Sequence, residues 1–343
     1  MITMKEVAEK ACVSRKTVYN VINKKGSYSK EVEDKVRKAI KELNYKGSLI
    51  AKSLKTGKTN LIGVVMPDIF HPSYSQFLVS FEKEARLNDY NIIVCNYDYK
   101  KDLEAYYFEM LYKRGVDGIA YYPFILDDYN YKYDTNIKKY SSIPTVFFGD
   151  HIFSDKYSSV FVDNIYLFDN IFKYLKKLGC KKPVYISNRY YNEYDNIELR
   201  EMQYCIPRLI GYNKYCKKYN FEPKIWTYFN LIENKHYTEE IKEEILKGDY
   251  DSFICDIDYV ALQMIEMLRS VNKPLVPIIG FDNSDMARSF TPSVSSVDYN
   301  YDLVAKETFK VLLDKMNDNS QIEHIVVNCE LVKRDSTEMF LKK

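Results

Sequence analysis

The chain has 343 residues, 46% hydrophobic and 29% charged, which is enough for two or three domains with real cores. It contains no apolar run of about 18 residues, the length that a membrane-spanning helix needs. Net charge is only +2, yet residues 1–60 hold 15 Lys/Arg against 6 Asp/Glu (net +9), and the other 35 basic and 42 acidic residues give −7, so a polyanion partner is expected for the head alone.

The first residues, MITMKEVAEK, lack the apolar stretch of a secretory signal, so a cytoplasmic protein is expected. Thr3-Met4-Lys5-Glu6 fits a capping box in which Thr3 caps a helix and Glu6 reaches back. Val7, Ala8 and Ala11 share one face of that helix, and Cys12-Val13 makes a turn. Ser14 suits the N-cap of a second helix running from Arg15 to about Asn23, with Val18, Val21 and Ile22 facing inward. Its outward side carries Arg15, Lys16, Thr17, Tyr19 and Asn20. A third helix follows Ser29, with Val32, Val36, Ala39, Ile40 and Leu43 at helical spacing. Two of the three helices make a helix-turn-helix.

The outward side suits DNA. The first turns of a recognition helix reach base edges in the major groove. Arg15 and Lys16 can donate to guanine O6 and N7, and Asn20 can pair with adenine. Thr3, Ser14, Thr17 and Tyr19 suit phosphates and the helix terminus, which set register rather than sequence.

From residue 61 the pattern alternates between strand and helix. Strand-like runs are Leu61–Met66, Ile92–Asn96, Gly118–Tyr122, Pro144–Phe148, Val184–Ser187, Ser252–Cys255 and Val276–Phe281. Amphipathic stretches at Asn164–Leu178, Arg208–Tyr219, Tyr259–Ser270 and Leu303–Met316 separate several of them. Continuously apolar strands alternating with helices indicate a doubly wound parallel sheet, and some 280 residues fit two lobes with a cleft better than one sheet.

Residues 3–57 resemble the headpiece of the lactose/galactose repressor (LacI/GalR) family. The shared positions are Val7, Ala8, Ala11, Val13, Ser14, Thr17, Val18, Val21, Asn23, Ala39, Leu43, Tyr45, Ala51 and Leu54. Further motifs carry the resemblance to about residue 337: Val162-Asp163-Asn164, Arg208-Leu209-Ile210-Gly211-Tyr212, Gly280-Phe281-Asp282-Asn283 and Leu331–Thr337. The resemblance implies an α/β fold: an all-α helix-turn-helix headpiece over 1–46, a hinge helix and linker over 47–60, and a two-lobed doubly wound body over 61–343 like the type I periplasmic sugar-binding proteins. It also implies that Arg15, Lys16 and Asn20 read bases. In the hinge, Ala51, Lys52 and Leu54 would enter the minor groove, with Leu54 as the wedge. In the body it implies an effector site in the cleft, built by His71, Tyr74, Phe148, Arg208, Asp258 and Asp282.

The chain departs from the family pattern at several places. Cys12 replaces the turn glycine, Gly47 a proline and Lys52 an arginine. In the cleft, Gly149 replaces an aspartate, Tyr299 a glutamine, and Ile257 stands at a frequent asparagine position. The expected function is therefore a sequence-specific transcription regulator, a repressor, acting as a homodimer on an inverted-repeat operator under a carbohydrate effector. A cytoplasmic sugar-binding protein, or a DNA-binding architectural protein without allosteric control, is the alternative. Seven cysteines without a C-x-x-C, four scattered histidines and no nucleotide or nucleophile motif leave no metal, cofactor or enzymatic activity to expect.

Overall fold

A computed structural model of the protein describes residues 2–45, 57–123, 138–149, 156–188, 206–228, 239–319 and 321–341. Gly47, Ala51, Lys52 and Leu54 of the expected hinge lie outside the described residues. The chain divides into two compact units, Met1–Thr59 and Asn60–Lys343.

The first unit is three helices: α1 (Met4–Ala11), α2 (Arg15–Ile22) and α3 (Lys30–Glu42). Each begins on a hydroxyl cap. The side chains of Thr3, Ser14 and Ser29 accept the backbone N–H of Glu6, Thr17 and Val32 at 3.4, 3.0 and 3.3 Å. Glu6 returns the favour by accepting Thr3 N at 2.7 Å, and the Thr3 hydrogen bonds hold its carboxyl below the usual range. The core is small: Val7, Ala8, Ala11, Val18, Val21, Val36 and Ala39. Ile22 corrects the expected inner face, for it is 39% exposed. Successive helical residues are about 100° apart, so with Val18 and Val21 turned fully inward, Ile22 at the end of α2 is left at the edge.

The second unit holds two six-stranded sheets. The first lobe contains β1 (Leu61–Met66), β2 (Asn91–Asn96), β3 (Gly118–Tyr121), β4 (Thr145–Gly149), β5 (Ser159–Val162) and β11 (His324–Val327), in the order β11-β5-β4-β3-β1-β2, all parallel. The second lobe contains β6 (Pro183–Asn188), β7 (Lys224–Tyr228), β8 (Ser252–Cys255), β9 (Ile278–Phe281), β10 (Ser295–Asp298) and β12 (Glu330–Val332), in the order β12-β10-β9-β8-β6-β7. Only β12 runs antiparallel to its neighbour. The covering helices are α4 (Pro72–Leu87), α5 (Lys101–Lys113), α6 (Asn164–Lys177), α7 (Ile206–Tyr219), α8 (Glu239–Lys247), α9 (Asp258–Ser270), α10 (Asp285–Ser289), α11 (Tyr301–Lys315) and α12 (Asp335–Glu338).

The chain passes between the lobes three times: from β5 into α6, from β10 into α11, and from β11 into β12. Strand register puts these passages side by side. Val162 is opposite Val327 in the first sheet, and Asp298 is opposite Glu330 in the second. Three adjacent strands of backbone thus join the lobes at one edge, where small φ/ψ changes can alter the angle between them.

Candidate functional site

On the first unit, the outward side of α2 presents a pair of cations. Arg15 and Lys16 are exposed and, among the described residues, neither has an ion pair. Four other basic residues of the unit are paired: Lys5 with Glu9, Lys10 with Glu42, Lys35 with Glu31 and Arg37 with Glu33. The first turn of α2 thus presents two adjacent exposed cations beside its cap. Thr17 and Ser14 share a 2.9 Å hydroxyl hydrogen bond, which completes the cap. Tyr19 and Asn20 follow on α2, half-buried. Gly26 lies beside Asn20, at φ +71, and a Cβ there would come within 3.1 Å of the Asn20 amide nitrogen. The turn before α2 is made by Cys12 at φ 52, ψ 44, the left-handed conformation that favours glycine.

The second candidate site lies where the carboxyl ends of both sheets meet. Ser73, in the first turn of α4, donates a 2.6 Å hydrogen bond to Asp282 Oδ1, just past β9. Both groups are buried, and they belong to different lobes. Asp282 and Asn283 hold φ of +95° and +48°. That turn is fixed from all sides. Asn283 N donates to Ser296 Oγ at 2.9 Å, its amide donates to Asp298 at 2.8 Å, and Arg334 donates to its side-chain oxygen.

Arg208, at the start of α7, is 2% exposed and donates to the carbonyl of Asp256 at 2.7 Å. Its guanidinium lies over the rings of Phe281 and Tyr299 at 4.8 and 5.2 Å. In the first lobe, His71, Tyr74, Tyr122 and Phe148 form a chain of rings with centroids 4.8, 4.9 and 5.5 Å apart. Phe148 ends that chain within the core, fully buried and stacked on Phe77 at 3.7 Å.

Asp258 is placed differently from the other expected residues. It is 1% exposed, and its Oδ2 accepts both the N–H and the hydroxyl of Ser284, at 2.7 and 2.8 Å. Gly280 lies against its other oxygen, where a Cβ would meet Oδ1 at 2.3 Å. Asp258 therefore ties α9 to the turn after β9. Burial and the nearby Asp282 charge push its carboxyl up to about 7.

Residues 3–48 match the family profile of bacterial regulatory proteins, lacI family. Residues 59–204 match the periplasmic binding proteins and sugar binding domain of the LacI family, and residues 172–337 a periplasmic binding protein-like domain. The chain is 30% identical to the HTH-type transcriptional regulator RegA of Clostridium acetobutylicum, over 97% of its own length and 98% of that protein. It belongs to the lacI family of bacterial regulatory proteins. The lacI-family fold extends over the whole chain. The lac repressor dimer bound to operator and the anti-inducer ONPF superimposes with a TM-score of 0.84 at 18% identity, covering 98% of this chain and 99% of that one. A complex of the transcriptional regulator CelR with cellobiose gives a TM-score of 0.67 at 20% identity, covering 98% and 100%. Like its relatives, this lacI-family chain is a helix-turn-helix transcriptional regulator.

Sequence reasoning missed Ser73 and Asp256 in this lacI-family body. Asp256 accepts the Tyr185 hydroxyl and presents its carbonyl to Arg208, yet it reads only as one more acid after a strand. Ser73 follows Pro72 at a helix start, a position where a serine carries no chemical signal of its own. Among the described residues no group of three His, Cys, Asp or Glu is arranged to hold a metal, and no helix is long and apolar enough to cross a membrane.

Proposed function

We propose that this regulator is a repressor that binds an inverted-repeat operator as a homodimer in the cytoplasm, under the control of a small carbohydrate-class effector held between its lobes. The observation that carries this reading is the uncompensated Arg15–Lys16 pair on a doubly capped recognition helix. Two such helices related by a two-fold axis read half-sites one helical turn apart. The effector half is supported by the Asp282–Arg208 region at the meeting of two parallel sheets, the usual place for ligands in such folds. The cellobiose complex of CelR supplies the ligand class by analogy. Effector and operator act on one equilibrium between lobe arrangements, with a coupling of about 1–3 kcal/mol typical of such linkage. In this reading Thr3, Ser14, Thr17 and Tyr19 hold the backbone, Arg15, Lys16 and Asn20 read bases, and Ala51, Lys52 and Leu54 act in the minor groove. The protein performs no turnover on its effector.

Mobility-shift titration against the protein's own promoter region, with and without free sugars, tests the proposal. A retarded complex that competitor DNA of random sequence does not displace, and that a sugar strengthens or weakens, is the expected result. Equal binding to all sequences would remove the operator reading.

A further inference from the structure

The second lobe carries an aromatic floor built by three elements. Phe168 of α6 meets Tyr185 of β6 at 5.9 Å and Tyr212 of α7 at 6.3 Å, and Tyr185 stacks on Tyr212 at 5.2 Å. The helices α6 and α7 run in the same direction: Ile165 approaches Gly211, and further along Phe172 approaches Tyr219 at 6.2 Å. Their first turns lie at the carboxyl edge of the sheet, since Arg208 reaches the carbonyl of Asp256, just past β8.

A second layer sits on this floor, nearer the strand ends. Asn164 is one helical turn before Phe168, Arg208 one turn before Tyr212, and Ser187 two residues beyond Tyr185 on the same face of β6. Asn164 is 1% exposed and Ser187 0% exposed. Neither atom of the Asn164 amide has a hydrogen-bond partner, and neither does the Ser187 hydroxyl. Buried polar side chains are almost always satisfied, so these three orphaned atoms, with Arg208 Nε as a fourth in the same layer, call for a reason. Leucine and alanine would serve better there if packing were the only task.

The charges of the layer narrow what could satisfy these atoms. Arg208 donates to Asp256 O and lies over two rings, and its buried Nε has no hydrogen-bond partner. The carboxylate of Asp256 accepts the Tyr185 hydroxyl, and that of Asp282 accepts Ser73. A single cation beside two carboxylates is a poor host for a doubly charged phosphate. An asparagine amide offers a donor and an acceptor side by side, which matches two neighbouring hydroxyls. We propose that Asn164 and Ser187 form an effector subsite that takes a vicinal pair of uncharged hydroxyls, so that the ligand is a neutral polyol such as a free sugar rather than a sugar phosphate. This rests on the interlobe effector reading given above.

Thermal unfolding of the full chain with glucose, ribose, cellobiose and glucose 6-phosphate tests the subsite, because a ligand of the folded state raises Tm. At least one free sugar is expected to raise Tm, and glucose 6-phosphate to leave it unchanged. Asn164→Leu and Ser187→Ala should each weaken that sugar roughly tenfold. Without sugar they should unfold at the wild-type temperature or above, because they remove orphaned groups. Asn164→Asp, nearly isosteric but without the amide donors, is the second variant if the leucine protein does not fold, and it should lose the sugar as well. Full-strength binding by the variants, or a lower Tm without sugar in both Asn164→Leu and Ser187→Ala, overturns the subsite and leaves the interlobe reading standing. Binding of glucose 6-phosphate alone overturns the neutral class. No response of the wild type to any of the four overturns the carbohydrate reading itself, and the subsite with it.

Discussion

Ser73 of the first lobe donates its hydroxyl to Asp282 of the second at 2.6 Å, and both side chains are buried. This bond joins the lobes at the carboxyl ends of both sheets, where the proposed effector would compete for the same carboxylate. Hydrogen bonds to a charged group contribute about 1.5–3 kcal/mol. Ser73→Ala should therefore lower the free energy holding the lobes together by about that amount, and Tm should fall by a few degrees. Small-angle scattering should record a larger radius of gyration for the unliganded variant. Unchanged Tm and scattering would show that Ser73 does not hold the lobes.

Arg15→Ala and Lys16→Ala should separate binding from folding. Both side chains are exposed, so stability should stay within about 0.5 kcal/mol of wild type. If Arg15 reads a guanine, its loss costs about 1–3 kcal/mol at the operator and relaxes preference at one base pair. Ser14→Ala should behave differently, because the Ser14 hydroxyl caps α2 at 3.0 Å from Thr17 N. Loss of a cap costs about 1 kcal/mol in folding. Competition titrations beside melting curves distinguish the two classes, and a large Tm loss for Arg15→Ala would place Arg15 in the structure rather than at the DNA.

Cys12 is expected to hold a strained turn. At φ 52 it pays for a conformation that glycine adopts freely, and it is exposed, so its side chain has little packing to offset that. Cys12→Gly should stabilise the headpiece by roughly 0.5–1 kcal/mol, reduced by the extra freedom glycine has when unfolded. Urea unfolding followed by a probe in the first unit measures this. A destabilised variant would show that the thiol packs usefully in the turn.

The headpiece was legible because its signals are local. Thr3, Ser14 and Ser29 act within three residues of themselves, and the structure uses all three as caps. The alternation of strand and helix likewise pointed to a two-lobed parallel body, as found. The strands β5, β7, β10, β11 and β12 escaped notice. They are three to five residues long, and sequences such as Ser295–Asp298 or His324–Val327 become strands only because a neighbour pairs with them. The proposed interlobe site has only some of its polar residues marked by sequence motifs. Arg208 and Asp282 stand at strand and helix ends that the motifs mark, whereas the partner of Asp282 comes from a residue 209 positions away. Asp258 carries a role that an acid after a strand does not announce: its Oδ2 holds Ser284 and its Oδ1 lies against Gly280, contacts made 26 and 22 positions away.

The buried placement of Asp258 has a consequence for pH. The Asp258 carboxyl is pushed up to about 7, first by burial and then by the charge of Asp282. In the unfolded chain it titrates near about 3.9. The folded protein therefore binds a proton that the unfolded chain releases, so this contribution to stability is fully present below about pH 4 and is lost as pH rises through about 7. Asp258→Asn cannot titrate, and its side-chain oxygen can still accept from Ser284. The variant should melt near or below wild type at pH 5 and above it at pH 8. Melting curves across that range decide the matter, since parallel profiles for the two proteins would mean that Asp258 stays ionised. Gly280→Ala is the geometric companion: its Cβ would lie 2.3 Å from Asp258 Oδ1 and 3.0 Å from Asp258 Cα. Backbone on one side leaves no room to yield, so this variant should lose about 1–3 kcal/mol at every pH.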